Sequence, residues 1–454
     1  RDSDFADGYS AEHPSALFNT LFLDKVTALS YGMLAQTNAS NTELYTFHRP
    51  NRSTKTWSIV HTSIAQWNVS GLDVRIPSIQ FNDDMSLFVG GSSSQLYVFS
   101  FTVSWSPSLS VSVQVLHTIP TTYSSYSPYI LQTSLSNDGS LVALACDAPT
   151  AGGTAVQYYT YDQYDAWTER IWKTEQTPAS LGGGCHVRRN REGVVFSTKG
   201  DSNAYDAIAL LRPNPGGSYA YTAHDFGSTY TTTFYHTGYD DFIRTSYDGS
   251  TMVFMVSSVH GSGTPTLFIR RKINDVWSNY SYNGNFCGIG AVTADGNTIF
   301  YHERGTQAIQ WLQWSGNGYT TYNSNGALPS GAIHYTDRMD CSYDGSLVAL
   351  SNFYSLPGLY LYNKTGNALT AAATGTGWSE GGYFVSTYTS QCVVDRHNKL
   401  AAGVLVADGT FVSFHRTDAT STTWTKVVTV LPDLTDYFDY WNLPIAANGT
   451  MTRI

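Results

Sequence analysis

The sequence predicts an all-β chain made of repeated four-stranded antiparallel units, and three observations carry that prediction. The composition is 14% aromatic, with 32 Tyr and 11 Trp, and only 13% charged. Such chains suit pleated, half-buried surfaces better than helices. A tight-turn signal recurs along the chain at Gly32, Met85, Gly139, Gly193, Gly249, Gly296, Gly345, Asn398 and Gly449, with gaps of 53, 54, 54, 56, 47, 49, 53 and 51 residues. Two further alternating runs follow each turn before the next unit begins.

The elements of one unit follow in order from their residues. A short apolar run enters the turn, as in "CSYDGSLVALS", and a second apolar run leaves it. Asp-Gly and Asn-Gly supply the positive φ that a tight hairpin needs, which fixes these two runs as a strand pair. The third run alternates aromatic and polar residues, as in "ELYTFHR", "QLYVFSF", "IQWLQW" and "LYLYNK". The fourth often opens on Trp, as in "TWSIVHT", "VWSNYSY" and "TWTKVVTV". Four short antiparallel strands per period of about 50 residues are the signature of a β-propeller blade.

The expected architecture is therefore a single β-propeller of four-stranded antiparallel blades over residues 21–442. Eight blades is the first reading, and seven the alternative if one unit is displaced. Residues 1–20 precede the first blade as an N-terminal arm, read either as a docking arm or as a flexible tail. Residues 443–454, ending in "AANGTMTRI", open a ninth, partial repeat. It has three candidate homes: ring closure with the N-terminal strands, the start of a longer chain, or strand exchange with a neighbouring subunit.

The pattern S-x-D-G-S-x-V-A, at Ser136 to Ala143 and Ser342 to Ala349, resembles the Asp-Gly turn of the β-propeller repeat superfamily, including WD-repeat and FG-GAP-like proteins. The resemblance covers most of the chain and implies a fold, with no specific activity attached. The Gly-His and Trp-Asp dipeptides of WD repeats are missing, as are the acidic calcium loop of integrin-type repeats and the sialidase Asp box.

A net charge of -10 and a pI near 5.6 argue against nucleic acid or an anionic membrane as partner, because phosphate binding needs a basic stripe. No apolar run approaches the length needed to cross a bilayer, so no membrane insertion is expected. The chain starts at Arg1 without a signal-like segment, which reads as a processed mature chain or one whose ends are omitted. Five Cys form no C-x-x-C pair. Cys341 and Cys392 precede neighbouring turns with matching parity, so either a disulfide between adjacent strands or two buried thiols fits.

Glycosylation sequons stand at Asn38, Asn51, Asn68, Asn279, Asn363 and Asn448. Their number is what chance gives in a Ser/Thr-rich chain, about five. Placement in surface turns, together with only eight Lys, points to N-linked glycans on an extracellular or cell-surface protein.

Signals for chemistry are few. "GWSEG", Gly377 to Gly381, matches a nucleophile elbow, but no helical period follows Ser379, so it reads as a linker between blades. Asp433, Asp436 and Asp439 gather carboxylates without the alternating spacing of a calcium loop. No catalytic residue, cofactor or metal site is predicted. Two residues before the common Ser, the inner strands present Ala28, Gln80, Ser134, Arg188, Arg244, Ala291, Asp340 and Val393. At that parity Arg188, Arg244 and Asp340 would line an axial channel. Converging guanidinium groups would bind carboxylates there, or pair internally with Asp340.

The resulting expectation is a secreted or cell-surface glycoprotein acting as a structural or adhesive propeller module, with self-association into a larger extracellular structure. The alternative is an extracellular carbohydrate-binding or carbohydrate-active propeller, a lectin, glycosidase or lyase, using the channel mouth.

Overall fold

Besides the strands named below, the computed structural model describes residues 55–57, 67, 69, 86, 107–109, 136, 139, 246–250, 274, 284, 293–297, 308–309, 315–318, 324, 342–346, 366–367, 372–373, 395–400 and 416–424. The described strands fall into eight antiparallel sheets in chain order. Sheet 1 holds β1 (Asn19–Asp24), β2 (Thr42–His48) and β3 (Ser58–Ser63). Sheet 2 holds β4 (Leu72–Asp73), β5 (Ile79–Phe81), β6 (Leu87–Ser92), β7 (Gln95–Ser104) and β8 (Ser110–Pro120). Sheet 3 holds β9 (Tyr129–Leu135), β10 (Leu141–Asp147), β11 (Ala155–Tyr161) and β12 (Trp167–Lys173). Sheet 4 holds β13 (Cys185–Val187), β14 (Val194–Thr198), β15 (Ala207–Pro213) and β16 (Tyr219–Asp225).

Sheet 5 holds β17 (Ile243–Thr245), β18 (Thr251–Val256), β19 (Thr266–Ile273) and β20 (Val276–Asn283). Sheet 6 holds β21 (Phe286–Val292), β22 (Thr298–Glu303), β23 (Gln310–Trp314) and β24 (Tyr319–Asn323). Sheet 7 holds β25 (Arg338–Cys341), β26 (Leu347–Asn352), β27 (Gly358–Thr365), β28 (Ala368–Ala371), β29 (Trp378–Ser379) and β30 (Gly382–Phe384). Sheet 8 holds β31 (Thr389–Val394), β32 (Ala401–Val406), β33 (Thr410–His415) and β34 (Thr425–Val430). Five of the sheets are simple four-stranded meanders, the pattern predicted for one blade.

The turn after the inner strand explains why the Ser and Asp recur with the Gly. The Ser342 hydroxyl donates to Asp344 Oδ1 at 2.6 Å and accepts the Leu347 N–H at 2.9 Å. Asp344 Oδ1 also accepts the Ser346 N–H at 3.0 Å. Ser246 with Asp248, and Thr293 with Asp295, repeat the arrangement in the two preceding sheets. Each polar group of the turn is thereby satisfied locally. Gly345 sits at φ 70°, and a methyl there would also press on Thr293 of sheet 6 at 2.7 Å. Glycine thus serves both the turn and the approach of one sheet to the next. In sheet 8 the positive φ falls on Lys399 and not on the predicted Asn398, because the turn from Asp395 is one residue longer.

Most hydrophobic clusters of the described residues form between consecutive sheets, while one lies within sheet 2. Leu347, Ala349, Leu359 and Leu361 of sheet 7 pack against Val394, Ala402, Val404 and Phe414 of sheet 8. Phe300 and Trp311 of sheet 6 pack against Met339, Val348, Tyr360 and Tyr362 of sheet 7. Sheets 5 and 6 share Val253, Ile269, Ile299 and Leu312, while sheets 2 and 3 share Val98, Ile119, Leu135 and Val142. Sheets 6 and 7 therefore bury both faces on their neighbours, the packing a ring of blades requires.

The first sheet docks on the last. Trp57, just before β3, donates its indole N–H to Ser413 Oγ on β33 at 3.0 Å and meets Phe411 edge-on at 5.8 Å. Trp424, just before β34, makes the matching contact one sheet earlier, donating to Ala372 O at 2.7 Å beside Leu361. Leu361 and Ser413 hold the same register, three residues before Lys364 and Arg416. The N–H groups of those two residues close equivalent bonds to Ser346 O and Leu400 O. Two Trp residues, each just before the last described strand of its sheet and more than 360 positions apart, thus perform one docking operation.

Three details differ from the sequence reading. The strand beside β2 is Asn19–Asp24, upstream of the Gly32 turn, so the end of the expected 1–20 arm takes part in a sheet. Sheet 2 carries the additional short strand β4. Sheet 7 acquires the hairpin β29–β30, which pairs with the first residues of β27. The partial repeat 443–454 lies outside the described residues.

Candidate functional site: the turn-lined channel mouth

The inner strands β17, β21, β25 and β31 end in turns that are stitched together by main-chain bonds. Asp248 N–H donates to Ala294 O at 3.0 Å, Ala294 N–H to Tyr343 O at 2.9 Å and Tyr343 N–H to Arg396 O at 2.9 Å. All acceptors, and Tyr343 and Ala294 as donors, occupy one sequence column, the residue after the common Ser or its equivalent. Side chains of that column form the rim. Tyr247 reaches past the small Ala294 to meet Tyr343 edge-on at 5.2 Å, and Tyr343 meets His397 edge-on at 4.8 Å. Burial, then the neighbouring Tyr343, raises the Tyr247 phenol well above its ordinary range. It remains a neutral hydrogen-bonding group.

Just inside the rim lies Asp340. Its Oδ1 accepts the Cys341 N–H at 2.9 Å, and its Oδ2 accepts the Val394 N–H of sheet 8 at 3.0 Å. Arg396 Nε stands 3.4 Å from Oδ1. The carboxylate is therefore a strut between two inner strands, and its cationic partner is a residue that the sequence reading did not single out. The column one residue after the Ser was the signal that would have found Arg396, Tyr247 and Tyr343 together. Arg244 lies on β17 opposite Val253 and is half-buried. Arg188 lies outside the described residues, while Ala291 and Val393 of the same series are buried.

Cys341 and Cys392 stand as two buried thiols with no disulfide between them. Burial, with the Asp340 charge adding to it, raises both, Cys392 to about 12, so neither supplies a thiolate. Ser379 sits in the β29–β30 hairpin, with no helix after it, which is not the geometry of a nucleophile elbow. Among the described residues no group of three or more His, Cys, Asp or Glu could hold a metal, and no helix is long and apolar enough to cross a membrane. Asp433, Asp436 and Asp439 lie outside the described residues.

Farther out, side chains tie one sheet to the next. Arg271 donates to Gly296 O at 2.8 Å, Asn297 Oδ1 at 2.6 Å and Tyr319 Oη at 3.1 Å. Lys364 donates to Gln313 Oε1 at 3.0 Å, and Arg416 to Asn363 Oδ1 at 3.3 Å. These three cations are spent on the seams between sheets 5 and 6, 6 and 7, and 7 and 8.

Meander sheets that pack face to face on their neighbours, sheets 6 and 7 on both sides, with the first docked on the last through Trp57, decide the fold. The chain is a β-propeller. No protein-family model and no curated protein sequence matches it. Among solved structures it is similar to Kluyveromyces marxianus Hsv2 at 10% identity and TM-score 0.44, over 78% of this chain and 97% of that one. A putative 6-phosphogluconolactonase from Bacteroides fragilis is similar at 12% identity and TM-score 0.44, over 91% of this chain and 100% of that one. The β-propeller domain of Cps50 (Swd1) from Myceliophteria thermophila is similar at 12% identity and TM-score 0.39, over 74% and 95%. At these identities the likeness concerns the fold of the propeller alone.

Of the six sequons, Asn279 and Asn363 are described, and the propeller places them differently. Asn279 and Ser281 are exposed on β20, the outermost strand of sheet 5, while the intervening Tyr280 turns inward onto Trp314 and Tyr319 of sheet 6. Asn363 is half-buried on β27 in the seam with Arg416. Asn38, Asn51, Asn68 and Asn448 lie outside the described residues.

Proposed function

We propose that the chain is a secreted or cell-surface glycoprotein whose β-propeller serves as a structural or adhesive module and associates with further copies of itself. The observation that carries this reading is Asn279, with its sequon facing solvent on an outermost strand, where an N-glycan costs no packing. The polar groups of the inner strands and of the seams support it from the other side. Asp340, Arg271, Lys364 and Arg416 are each engaged in holding neighbouring sheets together. Such groups stiffen a scaffold and are poorly placed to turn over a substrate. Expression through a glycosylating secretory route, followed by peptide mapping, tests the reading. Asn279 is expected to be modified and Asn363 bare; an unmodified Asn279 in correctly folded secreted protein contradicts it.

A second reading rests on the rim. Tyr343, held between Tyr247 and His397 beside Arg396, offers half-buried aromatic faces and a cation of the sort that stack on and bond to sugar rings. Extracellular carbohydrate is then the ligand, bound without chemistry. Glycan-array binding that is lost in Tyr343→Ala supports this lectin reading, and an array without signal removes it.

A further inference from the structure

The strand β8 is the one long outer strand among those described that carries no protection against pairing with another chain. Unpaired sheet edges are guarded by charge, by brevity or by a bulky modification. β12 carries Glu169, Arg170 and Lys173, β16 ends in His224 and Asp225, and β34 carries Lys426. β20 holds the exposed Asn279 sequon. β3, β24 and β28 run to six, five and four residues. β8 runs to eleven, "SVSVQVLHTIP", without Lys, Arg, Asp or Glu.

Its surroundings are as unusual. From Met85 to Asn137 no residue is charged, in a chain whose net charge is -10. The hairpin also outgrows its sheet: β6 pairs with β7 only as far as Ser100, the Phe101 N–H still reaches Ser86 O, and Thr102 to Ser104 of β7 pair with β8 alone. A two-stranded ribbon is marginal by itself in water. One face of the hairpin is covered, since Val103, Val111, Val113 and Val115 lean on the cluster of Trp67, Phe88 and Phe99. The other face shows Ser110, Ser112, Gln114 and Leu116 to solvent, and among the described residues only β7 pairs with β8.

We propose that β8 pairs antiparallel with β8 of a second copy, joining the two projecting hairpins into one continuous sheet across a two-fold axis. The second copy is the partner because of charge. Two bodies of net charge -10 repel everywhere except where charge is missing, and this neutral stretch is where they can meet. The strand is also complementary to itself. A two-fold centred on Val113 sets Val111 against Val115 on the covered face and Ser112 against Gln114 on the exposed one, so both faces match with no buried polar mismatch. The one-residue bulge between His117 and Val115 ends the regular stretch at Leu116, which limits pairing to Ser110 through Leu116. The inference rests on the reading of the chain as a self-associating module, and it names the segment.

Two double variants of the full chain test it, Ser112→Lys with Gln114→Lys and Ser112→Glu with Gln114→Glu. All four substitutions fall on exposed positions, and thermal unfolding measured in parallel reports any loss of fold. Sedimentation velocity of the parent chain is expected to show a dimer, and each double variant alone an apparent mass lower by about twofold. An equimolar mixture of the two restores the dimer, since each new Lys then faces a Glu across the axis. Thr321→Lys, on the short strand β24, leaves the dimer unchanged. A dimer that survives both double variants overturns the β8 pairing and leaves self-association standing. A mixture that stays monomeric overturns the self-paired arrangement. A parent chain that is monomeric throughout overturns this pairing and the self-associating reading together.

Discussion

Sheets 5 to 8 and sheet 2 solve the same packing problem by different means. In sheets 5 to 8 each turn has its Ser or Thr, its Asp and its positive-φ residue, or a one-residue-longer equivalent, and main-chain bonds run from turn to turn. Cations on or just after the third strands cross each of these seams. Sheet 2 keeps the Asp as Asp84 but departs from that pattern with Asn82 and Met85 in place of the Ser and Gly. It relies on a dense aromatic cluster, with Phe88 and Phe99 stacked at 4.4 Å and Trp67 against both. Polar stitching needs partners at fixed positions and so enforces regular repeats, whereas apolar packing tolerates a longer hairpin. The irregular sheet is accordingly the one free to carry an interaction surface.

The largest loss of stability is expected at the shared core. Trp311 is fully buried between sheets 6 and 7, stacked on Tyr322 at 5.9 Å. Trp311→Ala is expected to cost about 3 to 5 kcal/mol, read as a drop in denaturant midpoint. Next come the turn glycines. Gly296, at φ 66°, would press a methyl into Thr251, whereas Gly366, at φ 57°, faces open space. Gly296→Ala should cost about 3 kcal/mol and Gly366→Ala about 1, since only the first adds a clash to the backbone penalty. Equal costs would mean that the turns do not carry the approach of one sheet to the next.

Asp344 sharpens the comparison through pH. Burial pushes its carboxyl up, but hydrogen bonds from Lys399, Ser342 and Ser346 outweigh that and hold it down at about 2, against an ordinary 3.8. A depressed carboxyl stabilises the fold above its unfolded value and loses that contribution as pH falls towards the folded one. Asp344→Asn should therefore cost about 1 kcal/mol near neutrality, discounted for exposure, with the difference closing between pH 3.8 and about 2. Chemical denaturation across that window checks it. The smallest effect on stability belongs to Lys426→Thr, within about 0.5 kcal/mol, because the residue is exposed on an outer strand. Its effect should be seen in association, since it leaves β34 as unguarded as β8.

Much of this was legible in the sequence because it is local. An Asp-Gly turn, its Ser and the alternating third strand are written within a dozen residues, so the blade and its period could be read directly. What was missed depends on partners far along the chain. Nothing near Asn19 says that it will sit beside β2, and nothing near Asp340 says that Arg396 of the next sheet will reach it. The Lys399 turn was misplaced by one residue because Asn-Lys resembles a turn pair until the extra residue after Asp395 is counted. The channel series was only partly readable, because the parity rule separates faces of a strand and does not say which of them a neighbouring sheet will cover.

Closure of the ring between sheets 8 and 1 is what makes the chain a propeller, and a double-mutant cycle on Trp57 and Ser413 tests it directly. Trp57→Phe keeps a ring against Phe411 and removes the indole donor, while Ser413→Ala removes the acceptor. Closure predicts a coupling energy of about 1 kcal/mol in the unfolding free energies, since the bond is buried and each single change already breaks it. Strictly additive effects, with no coupling between residues that stand 356 positions apart, would contradict it.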